Sequence, residues 1–202
     1  MFDVMTGNVE KTLEAINARG VQAERVATKE AAFERLVSLI PEGASIMTGG
    51  SLTLKQIGFE DHLIARAHHW NNLKDDLLAE TDPVKQMRLR KEATLADYYI
   101  GSPQAIAESG ELVFASAGGS QLPAYVFSSD NVIWVAGAQK IVPDLETALR
   151  RVREHALPAE DVRMKSLGRP GSFIGKLVIF EREPPQLGRH LHLILVDEPV
   201  GV

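Results

Sequence analysis

Two glycine-rich stretches carry residue types that hold anions. Thr48-Gly49-Gly50-Ser51 follows the strand-like run Ala44–Thr48 and precedes a helix start, Leu52–Ile57, closed by Gly58. A helix N-terminus offers free N–H groups and partial positive charge to a negative group. Two glycines allow close approach to the backbone, and Ser51 and Thr53 add hydroxyls. The same residues also make a plain turn capped by Ser51, since short glycine motifs are weakly specific. Gly118-Gly119-Ser120-Gln121 follows Glu111–Ser116 and reads either as a second wall of that cleft or as a glycine turn. Lys140, beyond Val132–Val135 and Gly137, stands at a strand end where it would neutralise an anion, or is solvated as lysines usually are. The expected ligand-binding set is Thr48, Gly49, Gly50, Ser51, Thr53, Gly118, Gly119, Ser120, Gln121 and Lys140.

Nucleophilic or acid–base work needs a group such as a carboxylate at the cleft edge. Glu108-Ser109-Gly110-Glu111 supplies Glu108 and Glu111 as the catalytic candidates, set against the frequency of exposed turn glutamates. His190 and His192 alternate on a strand and share a face; His68 and His69 are adjacent on a predicted helix and diverge. Neither pair has an evident third ligand, and catalytic zinc sites usually show three, so no metal is expected. The chain has no G-x-G-x-x-G and no G-x-x-x-x-G-K-[ST], and no cofactor is expected. Trp70 and Trp134 read as packing residues.

The elements that must position these residues alternate between helix and strand. Val9, Leu13 and Ile16 predict a helix capped by Asn8 and ended by Gly20, followed by a short strand, Val21–Val26. Thr28 caps a helix with the stripe Phe33, Leu36, Val37 and Ile40, stopped by Pro41 and Gly43. Phe59 to Thr94 reads as a charge-rich helical insertion without a strand, burying Leu63, Ala67, Leu73, Leu77 and Leu78. Within it, Pro83 opens a helix behind Asp82. Asp97–Ile100 and Glu111–Ser116 read as strands, Pro103–Glu108 and Leu122–Phe127 as helices, and Val132–Val135 as a buried parallel strand. Pro143 sits in the first turn of a helix that turns Leu145, Leu149 and Val152 inward. Leu177–Phe180 and Leu193–Val196 are joined by a link shorter than the dozen or more residues of a helical crossover, which predicts an antiparallel C-terminal strand pair.

Composition bounds the rest. The 202 residues, 45% apolar and 24% charged, fit one globular domain. With 22 Lys+Arg against 27 Asp+Glu the net charge is −5, which disfavours nucleic-acid binding. The absence of cysteine excludes disulfides, thiolate zinc sites, Cys nucleophiles and Cys-ligated iron–sulfur clusters. No apolar run approaches the ~20 residues of a membrane span, so no membrane partner is expected. Met1–Glu10 carries two acids and no basic or apolar block, which predicts no signal peptide and a cytoplasmic protein. A symmetric homodimer is the default assembly.

Three stretches together carry a family resemblance: Ala96-Asp97-Tyr98-Tyr99-Ile100-Gly101-Ser102, Ala105-Ile106-Ala107-Glu108-Ser109-Gly110-Glu111-Leu112-Val113, and Val135-Ala136-Gly137-Ala138-Gln139-Lys140-Ile141-Val142-Pro143-Asp144-Leu145. The chain resembles the lactate-utilisation (LUD) domain family, and Met47 to Leu54 with Ile57-Gly58 looks like that family's earlier glycine-serine motif. The resemblance runs from about Thr28 to Val202. It implies one LUD domain over 28–202, with a helical insertion at about 59–94 and an N-terminal helical extension over 1–27. The implied fold is a Rossmann-like three-layer α/β/α sandwich with a mostly parallel sheet (NagB/RpiA/CoA-transferase-like). The implied role is an accessory or ligand-binding subunit in lactate-type organic-acid oxidation, taking a small anion (organic acid, phosphate or CoA-type) and working beside iron–sulfur oxidoreductase subunits. A free-standing isomerase or acyl-CoA transferase or hydrolase, and a non-catalytic regulatory module, remain open alternatives. The chain departs from the family where many relatives carry Asp-Gly-x-Gly-Asn-Arg: here Ser116 to Gln121 keeps a glycine and lacks the acidic, amide and arginine side chains.

Overall fold

The computed structural model of the chain describes residues 8–202; residues 1–7, which hold most of the segment read as lacking a signal peptide, lie outside it. In chain order the elements are α1 (Val9–Asn17), β1 (Gln22–Val26), α2 (Lys29–Ser38), β2 (Ser45–Thr48), α3 (Leu52–Gln56), α4 (Phe59–Ile64), β3 (Asn71–Asn72), α5 (Leu73–Ala79), α6 (Pro83–Glu92), β4 (Tyr98–Gly101), β5 (Ala105–Ala107), β6 (Leu112–Ser116), β7 (Asn131–Gly137), β8 (Ile141–Val142), α7 (Leu145–Arg151), α8 (Leu157–Ser166), β9 (Lys176–Phe180) and β10 (His190–Val196). Short polar side chains fix the helix starts, because the first N–H groups of a helix lack backbone partners. Asn8, Thr28, Ser51, Asn72, Asp82 and Asp144 each accept from an N–H in the first turn that follows. Asp144, rather than Pro143, opens α7.

Six strands form a parallel sheet in the order β1-β10-β7-β4-β2-β3. Its central strands are apolar on both faces, as a sheet covered on two sides requires. On β7, Ile133 and Val135 pack with α2, α3 and α4 on one side, while Val132, Trp134 and Ala136 face α1, α5 and a second sheet on the other. That second sheet has four strands in the order β8-β5-β6-β9, and its outer side is covered by Ala148 of α7 and by Val152, which follows that helix. The fold is therefore an α/β sandwich with a small mixed sheet built into one layer.

Three expectations change. Residues 105–107 form a strand, not a helix: Ala105, Ile106 and Ala107 are fully buried between β6 and β8, and that environment overrides the helical preference of alanine. The C-terminal strands do not pair. β9 joins β6 antiparallel in the small sheet, whereas β10 enters the main sheet parallel between β1 and β7. The crossover-length rule compares strands of one sheet, and this link carries the chain between two. Finally, the helical insertion contains the two-residue strand β3 at one sheet edge, while β1, residues 22–26, makes the other edge.

The link between the sheets is pinned by Arg189. Its guanidinium pairs with Glu183 at 3.0 Å, both side chains 4% exposed, and donates to the carbonyls of Ser129, Ala124 and Tyr125. Burial raises the Glu183 carboxyl pKa, against the pull of Arg189. Removing one partner of a buried pair leaves the other charge uncompensated. Arg189→Met is expected to cost roughly 3–5 kcal/mol, read from urea unfolding, with a smaller loss when Glu183→Leu is added.

Candidate functional site

From β2 the chain steps outward to β3, then returns to the other side at β4 and continues through β7 to β10. The reversal leaves a crevice beyond the carboxyl ends of β2 and β4, where open parallel sheets bind ligands. A cleft of about 500 Å³ opens there. Its walls come from the loop after β2, the end of β4, the turn after β6, Lys140 after β7, one face of α8, the loop through Arg169 and Phe173, and Gly201-Val202.

Lys140 forms the floor and is 3% exposed. Its Nζ lies 2.9 Å from Ser102 Oγ, 3.2 Å from Thr53 Oγ1 and 3.0 Å from the Pro103 carbonyl. Thr53 Oγ1 and Ser102 Oγ are 3.1 Å apart, closing a triangle of two hydroxyls and one amine. All three partners of the lysine are neutral oxygens. Burial, aided by the charge of Arg151, lowers the Lys140 pKa to about 7. Arg151 itself is 1% exposed, donates to the Gln104 carbonyl and to a main-chain oxygen of Val202, and leaves Nε without a partner. Burial lowers its pKa to about 10. Among the described residues, no Asp or Glu side chain pairs with Lys140 or Arg151 beneath this cleft. At the rim, Arg163 binds Glu160 through two 2.7 Å bonds and overhangs the glycine loop, its NH2 3.8 Å from where a Cβ on Gly50 would lie.

Two glycines are set by the cleft itself. A Cβ on Gly101 would meet the Tyr125 hydroxyl at 1.7 Å. That phenol lines the cleft, and burial raises its pKa. Gly201 has φ +77°, and a Cβ there would meet Thr53 Oγ1 at 2.2 Å and Lys140 Nζ at 2.7 Å. The C-terminal segment therefore lies directly on the triangle, held by a 2.6 Å bond from the Gly201 N–H to Gln56.

Among the residues singled out from sequence, Gly49, Gly50, Ser51, Thr53, Gly118, Gln121 and Lys140 line this one cleft. Thr48 does not; it is buried and accepts from Lys74 Nζ at 3.1 Å. Gly119 packs on Lys176, and Ser120 is not part of the lining. α3 has only five residues, so its dipole is small and the side-chain cations dominate the electrostatics.

Glu108 and Glu111 lie outside the lining. Glu108 accepts from the Asn8 N–H at 2.9 Å and from Lys11 at 3.0 Å, and Glu111 pairs with Arg19 at 2.5 Å and with the Ser109 hydroxyl. The β5–β6 hairpin aims its turn at α1, so both acids fasten that helix instead of facing the cleft. His192 pairs with Glu24, and His68 lies in a loop stacked on Trp70. Among the described residues no three His, Cys, Asp or Glu side chains converge as a metal site would need. Ser102, Tyr125, Arg151 and Arg163 escaped the sequence reading. Arg151 follows buried Ala148 by three positions, one helical turn, which is the signal that placed it inside.

A family model of the LUD domain matches residues 9–177. No curated protein matches the chain. Among solved structures, a crystal structure of a DUF162 family protein from Deinococcus radiodurans is similar, with a TM-score of 0.53 at 15% identity, covering 93% of this chain and 95% of that one. At that identity the likeness bears on the fold alone, whereas the family match spans the two glycine loops, Ser102, Lys140 and Arg151. The chain belongs to the LUD domain family.

Proposed function

We propose that this LUD-domain chain is a ligand-binding subunit in lactate-type organic-acid oxidation, and that its ligand is a small anion held at the strand ends. One observation carries the reading: Lys140 and Arg151 are buried beneath the cleft, and no Asp or Glu side chain among the described residues pairs with either. A buried charge left uncompensated is costly, and an anion in the cleft supplies the missing partner. Arg163 above Gly50 adds a planar donor suited to a carboxylate or phosphate. Without cysteine the chain holds no iron–sulfur cluster of its own, in keeping with electron transfer by a companion iron–sulfur oxidoreductase subunit.

The test is a thermal-shift panel of lactate, pyruvate, sugar phosphates, CoA and acyl-CoA. A ligand at ~100 times its Kd adds about 2.7 kcal/mol, which for a domain of this size is a shift on the order of 5–10 °C. The expected result is a shift with an anion that disappears in Gly50→Asp, because the new carboxylate would lie under Arg163 and repel the ligand. A flat panel with a well-folded protein would sink the anion-binding reading.

A further inference from the structure

We propose that Ser102 and Lys140 form a serine–lysine catalytic pair that transfers or hydrolyses the acyl group of an anionic ester or thioester, with Tyr125 as the donor to the developing oxyanion. The inference rests on the cleft being the ligand site and adds a reaction to it. Its basis is the geometry at the floor. Ser102 Oγ is 2.9 Å from Lys140 Nζ, within the reach that a base needs to take a hydroxyl proton. The base is in turn oriented by Thr53 Oγ1 and the Pro103 carbonyl, so nucleophile, base and orienting groups are all present. Thr53 is a positioning residue in this scheme. All of these partners are neutral, so no carboxylate holds the lysine in its charged form.

The surroundings favour the free amine. The charged group facing Lys140 is Arg151 from α7; Tyr125 faces the cleft as a neutral phenol, since burial raises its pKa; and the Glu160–Arg163 pair on α8 is internally balanced. With a pKa of about 7, Lys140 is available as a base near neutrality. Tyr125 lines the cleft as a neutral phenol and so supplies a donor for a substrate carbonyl oxygen. Arg151 keeps its charge throughout and attracts the anionic part of the substrate, and Arg163 adds N–H donors at the rim.

The reaction balances without any further reagent. Ser102 Oγ attacks the acyl carbon while its proton passes to Lys140 Nζ, and the carbonyl electron pair moves onto the oxygen facing Tyr125. Collapse expels the thiolate or alkoxide, which takes that proton from Lys140. A thiol or alcohol leaves and an acyl ester remains on Ser102. Water then attacks the ester and gives its proton to Lys140. The second collapse releases the carboxylic acid and restores the Ser102 hydroxyl; an acceptor alcohol or thiol in place of water gives transfer.

The full chain is incubated with p-nitrophenyl acetate and, separately, with acetyl-CoA, quenched in acid, and mapped by peptide mass. The expected result is one acetyl group on the peptide carrying Ser102, forming at a rate that rises with pH through about 7. Ser102→Ala should lose it. Lys140→Arg keeps a positive charge but has no accessible base, and should slow acylation roughly 100-fold or more. Tyr125→Phe should slow it while leaving the pH profile in place. Absence of acetyl on Ser102 with both probes, or undiminished turnover in folded Ser102→Ala, overturns the proposal. The anion thermal shift of Ser102→Ala separates the two readings: a retained shift without acylation removes the chemistry and leaves the binding cleft, and acylation of the wild-type chain with no anion shift does the reverse.

Discussion

Lys140→Met is expected to make the empty protein more stable and, in the same molecule, to abolish its response to small anions. The lysine is buried against neutral oxygens, and its native pKa of about 7 lies well below that of an unfolded lysine at about 10.4. Between those two values the unfolded chain binds a proton that the native state does not. Stability therefore rises with pH across that window, and below about 7 the full penalty of the buried charge is present. Methionine has a similar length and no charge. Replacing a buried ion by an apolar side chain commonly stabilises by about 1–4 kcal/mol, here equivalent to a rise on the order of 2–4 °C per kcal/mol. Urea unfolding of both proteins across the window should show the wild-type rise with pH and its loss in the variant. A variant less stable at every pH would mean that the three hydrogen bonds at Nζ outweigh the burial. Stability given up at one residue in exchange for ligand affinity is what a functional site, rather than a packing position, predicts.

Gly101→Ala is the second large effect, and it arises from a single atom. The Tyr125 hydroxyl stands 1.7 Å from the position the new Cβ would occupy, with ring carbon Cζ at 2.6 Å. The ring has little room to retreat, being 4% exposed and packed against Tyr99, Phe114 and Trp134 at centroid distances of 5.6, 4.9 and 5.8 Å. Forced overpacking of this kind costs roughly 1–3 kcal/mol and sometimes more, and Gly101→Ala should fall at the upper end. Adding Tyr125→Phe removes the closest atom, so the double variant should recover part of the loss. The coupling energy from the four proteins measures that contact directly. Equal destabilisation by Gly101→Ala in both backgrounds would place the strain in the β4 backbone instead.

The sequence by itself determined much of this. Helix starts at Asn8, Thr28, Ser51 and Asp82 were legible because capping is a local contest for a few N–H groups. The strands β2, β6, β7 and β10 were legible because an apolar run of that length has to be covered on both faces. The loop Gly49–Thr53 and Lys140 were marked from their places after such strands. Partners distant in sequence were decided by the tertiary structure. Nothing in Leu177–Phe180 states that it belongs to a different sheet from Leu193–Val196, because each run would satisfy either sheet equally. Glu108 carried the residue type of a catalyst, yet its hairpin turns it toward Lys11, 97 positions earlier in the chain. Ser102 gave no signal of its own; it gains significance from Lys140, which is 38 positions later and meets it because β4 and β7 lie side by side in the sheet. Burial patterns are written along the chain, whereas the charge, desolvation and hydroxyl contacts that tune Lys140 exist only where separate strands end together.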